Sequence, residues 1–580
     1  MTDDCRQDAA ARTPPIGHVA ALVVLAGWLV GVHLAHPALL DPDEPRSAIV
    51  ARLMVERGDW LAPHLPAVFH HDYPHDPPEG DLFAYWDKPP LYFWLSAAAM
   101  KMLGPTAVAA RLPASLAHIL AVLAVYAAAW TLWGNRAGLL SGIVMALSPL
   151  PLVMAHVARM DTMLSALMAV MLLAVLRVQH QTCRPWLWPY VFWVAAGLGL
   201  LVKGPEAVVL PAAAVGLTVV LTGRWRDLRR LRPVTGLAVC LVIAAPWYVY
   251  MALRYPAATD GSSEGFLYEF FVRQHFSRAA SAEFGHAAEP PGYLLGVLLI
   301  GLMPWTVFLP GACARLVRDG WRGRRERPAV VLLLVWAALI VGVFSISMTQ
   351  LAHYILPAFP PLAILVGVYL ADRLDAGGAD RWFRAGLATT VALGAAGLVA
   401  FVVYLVRTGL WEWHCVITIG GFTAITAAGG ACFVRRRHAA AVAVLIAGLV
   451  VAMTYFFTAD PFRIYILYST RAETRALEKH LGPGDAVIAY PHTPYSFAWY
   501  LWPRDVPYPG EAGPGAGEPS LGGLVEQLNQ PRRTFCILQK RTLVNLLRPK
   551  VRWPIRIVLQ APRHTLIVTE PPQAEKADER

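Results

Sequence analysis

One polar loop near the start of the chain holds residue types suited to chemistry at both of its ends. D-P-D-E-P-R places Asp41, Asp43, Glu44 and Arg46 at its entrance, and Tyr85, Trp86, Asp87, Lys88, Pro89 and Pro90 stand at its exit. Carboxylates can take a proton or hold a cation, while ammonium and guanidinium groups can hold an anion. Four later stretches add to this set. R-M-D-T carries Asp161, V-K-G-P-E carries Lys203, F-F-V-R-Q-H-F-S-R carries Arg273 and His275, and L-A-H-Y-I-L-P carries His353 and Tyr354. Each lies beside or between apolar runs. An ionisable group at membrane depth is costly and marks function by default; at the end of a span it can reach water, so the weight rests on all of these falling on one side. Plainer readings stand beside the functional one. Acids keep a loop soluble, an acid at a helix start is favoured by the macrodipole, and a lysine at a span end can snorkel to water. His64, His70, His71 and His75 can ligate metal, but their spacing matches no site and points to surface exposure.

The elements that must position these residues are membrane helices. The chain has 580 residues, 56% hydrophobic and only 15% charged, with mean hydropathy +0.46; soluble proteins average about 25% charged. Apolar runs of about 20 residues recur, each long enough to cross a bilayer. Spans are expected over residues 19–38, 112–133, 137–156, 163–178, 186–202, 206–222, 234–254, 292–313, 329–347, 354–371, 386–406, 416–434 and 439–457. P-P-L-Y-F-W-L-S-A-A-A-M-K-M-L-G (89–104) is too short and ends in Lys101 and Gly104, so it is read as an interfacial helix. Parity supports that choice. With 89–104 lying flat, the arginine-rich loops at 224–232, 315–327 and 435–437 share the side of the N-terminus, as the positive-inside rule requires. The first loop, Asp161, Lys203 and residues 255–291 then share the other side. The net charge of +11 therefore comes from topology, and no nucleic-acid motif accompanies it.

The polar N-terminal tail before the first span reads as a cytoplasmic extension of an uncleaved anchor. Seven scattered cysteines show no C-x-x-C spacing, so neither a disulfide framework nor a thiolate metal site is indicated; Cys415 and Cys536 could share the outer side. After residue 458 the pattern changes. D-A-V-I-A-Y (485–490), R-T-F-C-I-L-Q (533–539), I-R-I-V-L-Q (555–560) and T-L-I-V-T-E (565–570) read as strands, and 471–481 and 521–530 as helices, around a Gly/Pro-rich loop at 508–520. Two domains follow: a membrane domain, 1–458, with loops 39–105 and 255–291, and a small outer α/β domain, 459–580.

D-E-x-R after the first span, the aromatic-acid-K-P-P-L string, Asp161, F-F-V-R-Q-H and H-Y-I-L-P-A-F-P-P, in this order and on one side, resemble the polytopic glycosyltransferases that use polyprenyl-phosphate sugars. These have the GT-C fold and form the protein O-mannosyltransferase superfamily; the likeness is nearest to lipid A 4-amino-4-deoxy-L-arabinose transferases. It covers roughly residues 19–370. Departures are Ser47 after D-E-x-R, Asp87 where Glu is frequent, Phe276 where Asn is usual, and Met348 and Gln350 where a lysine is often found. Residues 70–83 look like an insertion that shapes acceptor choice.

The resemblance implies an α-helical polytopic protein of about 13 transmembrane helices in the bacterial inner membrane, with its site facing the periplasm. It implies transfer of a sugar, best 4-amino-4-deoxy-L-arabinose, from undecaprenyl phosphate to lipid A or another envelope acceptor with inversion. Asp43, Asp161 and Glu44 would be catalytic, Glu44 having an alternative as structural partner of Arg46. Arg46, Tyr85, Lys88, Lys203, Arg273, His353 and Tyr354 would hold substrate or lipid phosphate. Asp87 and His275 would hold a divalent metal, zinc, with a hydrogen-bonded histidine as the alternative. No nucleotide cofactor and no nucleic acid are expected, and the chain would act as a monomer among membrane lipids. A protein O-mannosyltransferase or another polyprenyl-phosphate hexose transferase is the neighbouring reading. A lipid flippase, the reading from another class, would place ionisable residues near the bilayer midplane.

Overall fold

Helix is the dominant element, and proline and glycine set most of its boundaries. The computed structural model describes residues 14–571 except 33, 35–37, 73–77, 80, 181–184, 258–263, 278–288, 315–324, 378–379, 409–412, 460–468, 483, 491–493, 502–520, 540–541 and 562. In chain order the main helices are α1 (Ile16–Gly31), α2 (Asp43–Arg57), α3 (Leu91–Leu103), α4 (Ala107–Ala146), α5 (Pro149–Ala155), α6 (Asp161–His180), α7 (Leu187–Val202), α8 (Glu206–Thr222) and α9 (Pro233–Arg254). They continue as α10 (Tyr293–Gly301), α11 (Pro328–Ile346), α12 (Phe359–Asp375), α13 (Arg381–Thr408), α14 (Trp413–Val434) and α15 (His438–Ala459), with α16 (Arg471–Glu478), α17 (Tyr495–Leu501), α18 (Leu521–Leu528) and α19 (Thr542–Leu547) near the C-terminus. Prolines open α5, α9, α11 and α12, where a missing N–H leaves no bond unmade.

The chain forms two compact units. One holds residues 1–34 and 113–459, the other 35–112 and 460–580. In the first, seven helices among the described residues are long and apolar enough to cross a membrane, or eight counting the pair Tyr293–Gly301 and Trp305–Ala314, which is bent by 101°. The shorter apolar helices α1, α7 and α8 fall on three further expected spans. Two expectations change in detail. Expected spans two and three run together in α4, broken only at Gly134, whose φ of 86° is one that glycine adopts freely. The third ends early, and Ser148 and Pro149 start α5. Helices α6 and α12 are buried along most of their length, whereas little of α13 is buried. The central position therefore belongs to the segments bearing Asp161 and the turn of His353. Ser165 on α6 fastens them, its Oγ donating to the Leu356 carbonyl at 3.1 Å.

The second unit corrects the expected partition, because the first loop folds together with the C-terminal segment. Helix α2 buries Ala48, Ile49, Val50, Ala51, Leu53 and Met54, more apolar surface than a solvated loop could leave uncovered. Strands β1 (His64–Pro66), β2 (Pro78–Glu79) and β3 (Leu82–Ala84) form a small antiparallel sheet with β3 central. At 13 residues, α3 spans only about 20 Å, short of a bilayer core, and it leaves Leu95, Met102 and Leu103 exposed. All four expected C-terminal strands form. Strands β4 (Ala486–Tyr490), β5 (Thr534–Leu538), β6 (Ile555–Gln560) and β7 (Thr565–Thr569) lie in the order β4-β5-β7-β6, with only β4 and β5 parallel. Alternation along β5 sends Phe535 and Ile537 into one core with Leu477 and Phe497, and Cys536 and Leu538 into another with Leu524, Leu528 and Leu547. Cys536 is a free, fully buried thiol, and the side chain of Cys415 lies outside the described residues. Helix α17, which sequence patterning missed, packs on α2, where Arg52 lies over Trp499, and on the turn Ala67–Asp72, where Phe69 stacks on Tyr495 at 4.0 Å. The Gly/Pro-rich segment 508–520 lies outside the described residues.

Candidate active site

In the first unit the geometry is built around Asp161, the first residue of α6, where the helix dipole favours negative charge. Lys203 comes to it from the C-terminal end of α7, its Nζ donating to Asp161 Oδ1 at 2.7 Å. Arg159 Nε donates to Oδ2 of the same carboxylate at 3.2 Å. His353 joins them: Arg159 Nη2 donates to its Nε2 at 2.7 Å, and that nitrogen is 3.7 Å from Asp161. Tyr354 lies beneath Lys203, whose ammonium is 4.4 Å from the ring centroid. Two part-buried cations are thus oriented by one carboxylate and one ring.

The turn after Lys203 extends this cluster. Gly204 has φ of 113°, and a Cβ there would stand 2.8 Å from His275 Nε2 and 3.0 Å from Phe270, so the close approach expected of this glycine is present. Beyond it, Glu206 starts α8 and its carboxylate is 3.9 Å from Lys203 and 3.2 Å from His275 Nε2. His275 Nδ1 is 2.6 Å from the Phe270 carbonyl and donates to it, which fixes the ring. Arg273, two residues earlier on a π-helical segment, pairs with Glu269 at 3.4 Å.

In the second unit the two first-loop acids part company. Glu44 is fully buried; its oxygens accept from Arg111 Nε and Nη2, both at 2.7 Å, and Oε2 also accepts from the Leu40 amide at 2.9 Å. Full burial and this paired, hydrogen-bonded carboxylate correct its catalytic expectation: Glu44 is held as a structural partner of Arg111. Asp43 is 29% exposed and pairs with Arg46 one turn along α2, leaving it as the accessible acid of the pair. At the loop's exit, Tyr85 is packed edge-on against Phe93 and nearly fully buried. Asp87 is buried and Lys88 half-buried, with Lys88 Nζ donating to the Asp87 carbonyl at 3.1 Å.

Three residues escaped sequence reasoning. Glu206 was within the V-K-G-P-E string and Arg159 within R-M-D-T, so their adjacency was a signal; Arg111 carried none, since its partner is 67 residues away. For a metal, the first unit offers His275 Nε2 and Glu206, and no group of three His, Cys, Asp or Glu suited to an ion occurs among the described residues. Two donors fall short of a zinc sphere.

Crystal structures of ArnT from Cupriavidus metallidurans, bound to undecaprenyl phosphate and in the apo state, match the fold with a TM-score of 0.75 for each. They cover 95% of this chain and 97% and 98% of theirs, at 23% and 24% identity. A family model for dolichyl-phosphate-mannose-protein mannosyltransferase matches residues 87–250. The protein is a multi-pass membrane glycosyltransferase of the GT-C fold. Among relatives, the undecaprenyl phosphate-alpha-4-amino-4-deoxy-L-arabinose arabinosyl transferase of Pectobacterium carotovorum is 30% identical over 417 residues, 71% of this chain and 69% of its own. A corresponding enzyme of Sodalis glossinidius is 32% identical over 416 residues, 69% and 68% of the two chains. The chain belongs to this arabinosyl transferase family.

Proposed function

We propose that the enzyme transfers 4-amino-4-deoxy-L-arabinose from undecaprenyl phosphate to lipid A or a related envelope acceptor, at the periplasmic face of the bacterial inner membrane. Donor and sugar rest on what the relatives are named for; the acceptor and the face rest on the resemblance and the charge distribution. The observation that carries the chemistry is the Asp161–Lys203 pair with Arg159 beside it. Cations held in place beforehand stabilise charge that develops on a leaving phosphate without reorganising.

In the proposed step the acceptor oxygen bonds to C1 from the face opposite the lipid phosphate. The C1–O bond breaks and its electron pair leaves with undecaprenyl phosphate, inverting the centre. Lys203, Arg159 and Arg273 stabilise that phosphate, with His353 and Tyr354 holding the cations in register; the resemblance adds Lys88 to the phosphate contacts. Asp161 keeps Lys203 and Arg159 charged and aimed. A phosphate acceptor is already an oxyanion near neutral pH, since its second pKa is about 6; Asp43 then orients it or stabilises the oxocarbenium-like sugar. For a hydroxyl acceptor, Asp43 takes the proton. For zinc, the resemblance pairs His275 with Asp87, and that is the pairing we propose. When bound it would add positive charge near the phosphate, and metal analysis of the purified protein beside His275→Ala tests it.

The test is transfer by purified enzyme in detergent, with undecaprenyl-phosphate aminoarabinose and lipid A, followed by mass spectrometry. Product that is lost in Asp43→Asn supports the reading. No product beside an active relative removes the arabinose assignment, and full activity in Asp43→Asn removes the role given to that acid.

A further inference from the structure

We propose that Ser496, on the C-terminal helix α17, is a positioning residue for Asp43, so that the C-terminal segment sets the reacting end of the first loop. The inference rests on the reading of Asp43 as the acid that meets the acceptor.

Asp41 is the link. It precedes Asp43 by one proline, Pro42, the residue that caps the start of α2. Its Oδ1 accepts the Ser496 amide hydrogen at 2.7 Å, and its Oδ2 accepts the Ser496 hydroxyl. With that hydroxyl donated to Asp41, Ser496 Oγ accepts in turn from the Thr470 amide at 3.1 Å and faces the Thr470 hydroxyl at 2.8 Å. Ser496 and Thr470 are fully buried, so each of these groups depends on the others for its partner. A directed chain therefore runs from Thr470 through Ser496 to Asp41.

The same face of α17 grips α2 and the chain just before it at three further points. Tyr500 Oη accepts the Leu39 amide hydrogen at 2.8 Å, just before the loop turns into α2. Tyr495 lies under the Arg46 guanidinium, 5.8 Å from it, and Arg46 is the partner of Asp43. Trp499 lies under Arg52. Residues 495, 496, 499 and 500 share one helical face, and between them they hold the chain before Asp43, the counter-ion of Asp43 and the next turn of its helix. Arg111, through Glu44, holds the opposite side of the same turn. A carboxylate on the first residue of a helix can swing with that helix end; this set of contacts removes the swing. Misplacement of a reacting group by about 1 Å can cost 10²-fold in rate, so a partial loosening is expected to be visible in kcat.

The experiment uses the full-length enzyme in detergent. Ser496→Ala removes the hydroxyl, Ser496→Cys replaces it with a poor donor at nearly unchanged volume, and Ser496→Thr keeps it. The expected result is about a tenfold lower kcat in the Ala and Cys variants, with KM for the lipid donor within about twofold, and recovery in Ser496→Thr. Melting curves on the same samples separate positioning from folding: a structural role alone lowers the melting point and leaves kcat per folded molecule intact. If Ser496→Ala does not fold, Ser496→Cys carries the test. Parent-like kcat in the Cys variant, with Asp43→Asn inactive, overturns the positioning role and leaves the site reading standing. An active Asp43→Asn overturns the site reading, and the positioning role with it.

Discussion

Arg111 closes on Glu44 with two hydrogen bonds of 2.7 Å, and both side chains are excluded from solvent. The pair welds the first turn of α2 to the start of α4, with Arg111 Nη2 also donating to the Ala38 carbonyl at 3.1 Å. Replacing one member leaves the other as an uncompensated buried charge, which costs about 3–5 kcal/mol. Arg111→Met is therefore expected to lower the melting temperature sharply, whereas Asp43→Asn leaves it nearly unchanged. Thermal unfolding of both variants checks this; equal melting points would place Glu44 outside the structural role.

Lys203 and Asp161 are expected to act as a unit. Lys203→Met leaves Asp161 with Arg159 as its principal cation, and Asp161→Asn removes the carboxylate that both cations share, leaving Lys203 only Glu206 at 3.9 Å. Each single change is expected to lower kcat/KM about 10²-fold, on the scale of losing one preorganised donor. The double variant should lose far less than the product of the two. Steady-state kinetics of the three variants measures that coupling, and simple multiplicativity would count against a shared role.

Gly204 is the most exposed to test by a single methyl group. Alanine there meets His275 Nε2 and Phe270 while forced into a φ of 113°, a strain of about 1–3 kcal/mol. Gly204→Ala is expected to displace His275 and reduce transfer at least about tenfold, with the protein still extractable as a folded species. Unchanged transfer would mean that the His275 position is irrelevant to turnover.

Glu473, nearly fully buried beside His564 at 3.7 Å, links stability to pH. Burial pushes its carboxyl up to about 7, and the nearby Asp41 adds to this. Asp41 itself is raised to about 6, chiefly by desolvation and against the Ser496 hydrogen bonds. Both groups bind protons more strongly folded than unfolded, so their contribution is present below about pH 4 and is lost as pH rises towards 7. His564, lowered by burial to about 4, works in the opposite sense: its contribution is lost as pH falls from 6.5 towards 4. Near pH 7 Glu473 acts alone. Glu473→Gln is expected to flatten the fall in stability there and to gain on the order of 2 kcal/mol at pH 8. Melting curves from pH 5 to pH 8 decide it; a parallel fall in parent and variant would contradict the assignment.

Local patterns carried much of this protein. Apolar run length marked most of the spanning helices, and the segment read as interfacial forms a helix of only 13 residues, because the cost of burying charge in a bilayer acts on each segment separately. The C-terminal strands were legible for the same reason: alternation is a property of five or six consecutive residues, as T-F-C-I-L illustrates. Family motifs then marked Asp43, Asp161, Lys203 and His275. Partnership was not legible. Glu44 stood beside Arg46 in sequence yet closed on Arg111, His275 met Glu206 across a turn of another helix, and Asp41 found Ser496 at a distance of 455 residues. Nor did sequence show that the first loop and the C-terminal segment would form one unit. A buried carboxylate must be satisfied by whatever donor folding brings within about 3 Å, and that choice belongs to the tertiary structure: local sequence patterns marked the elements and the candidate side chains, and packing decided which of them are paired with which.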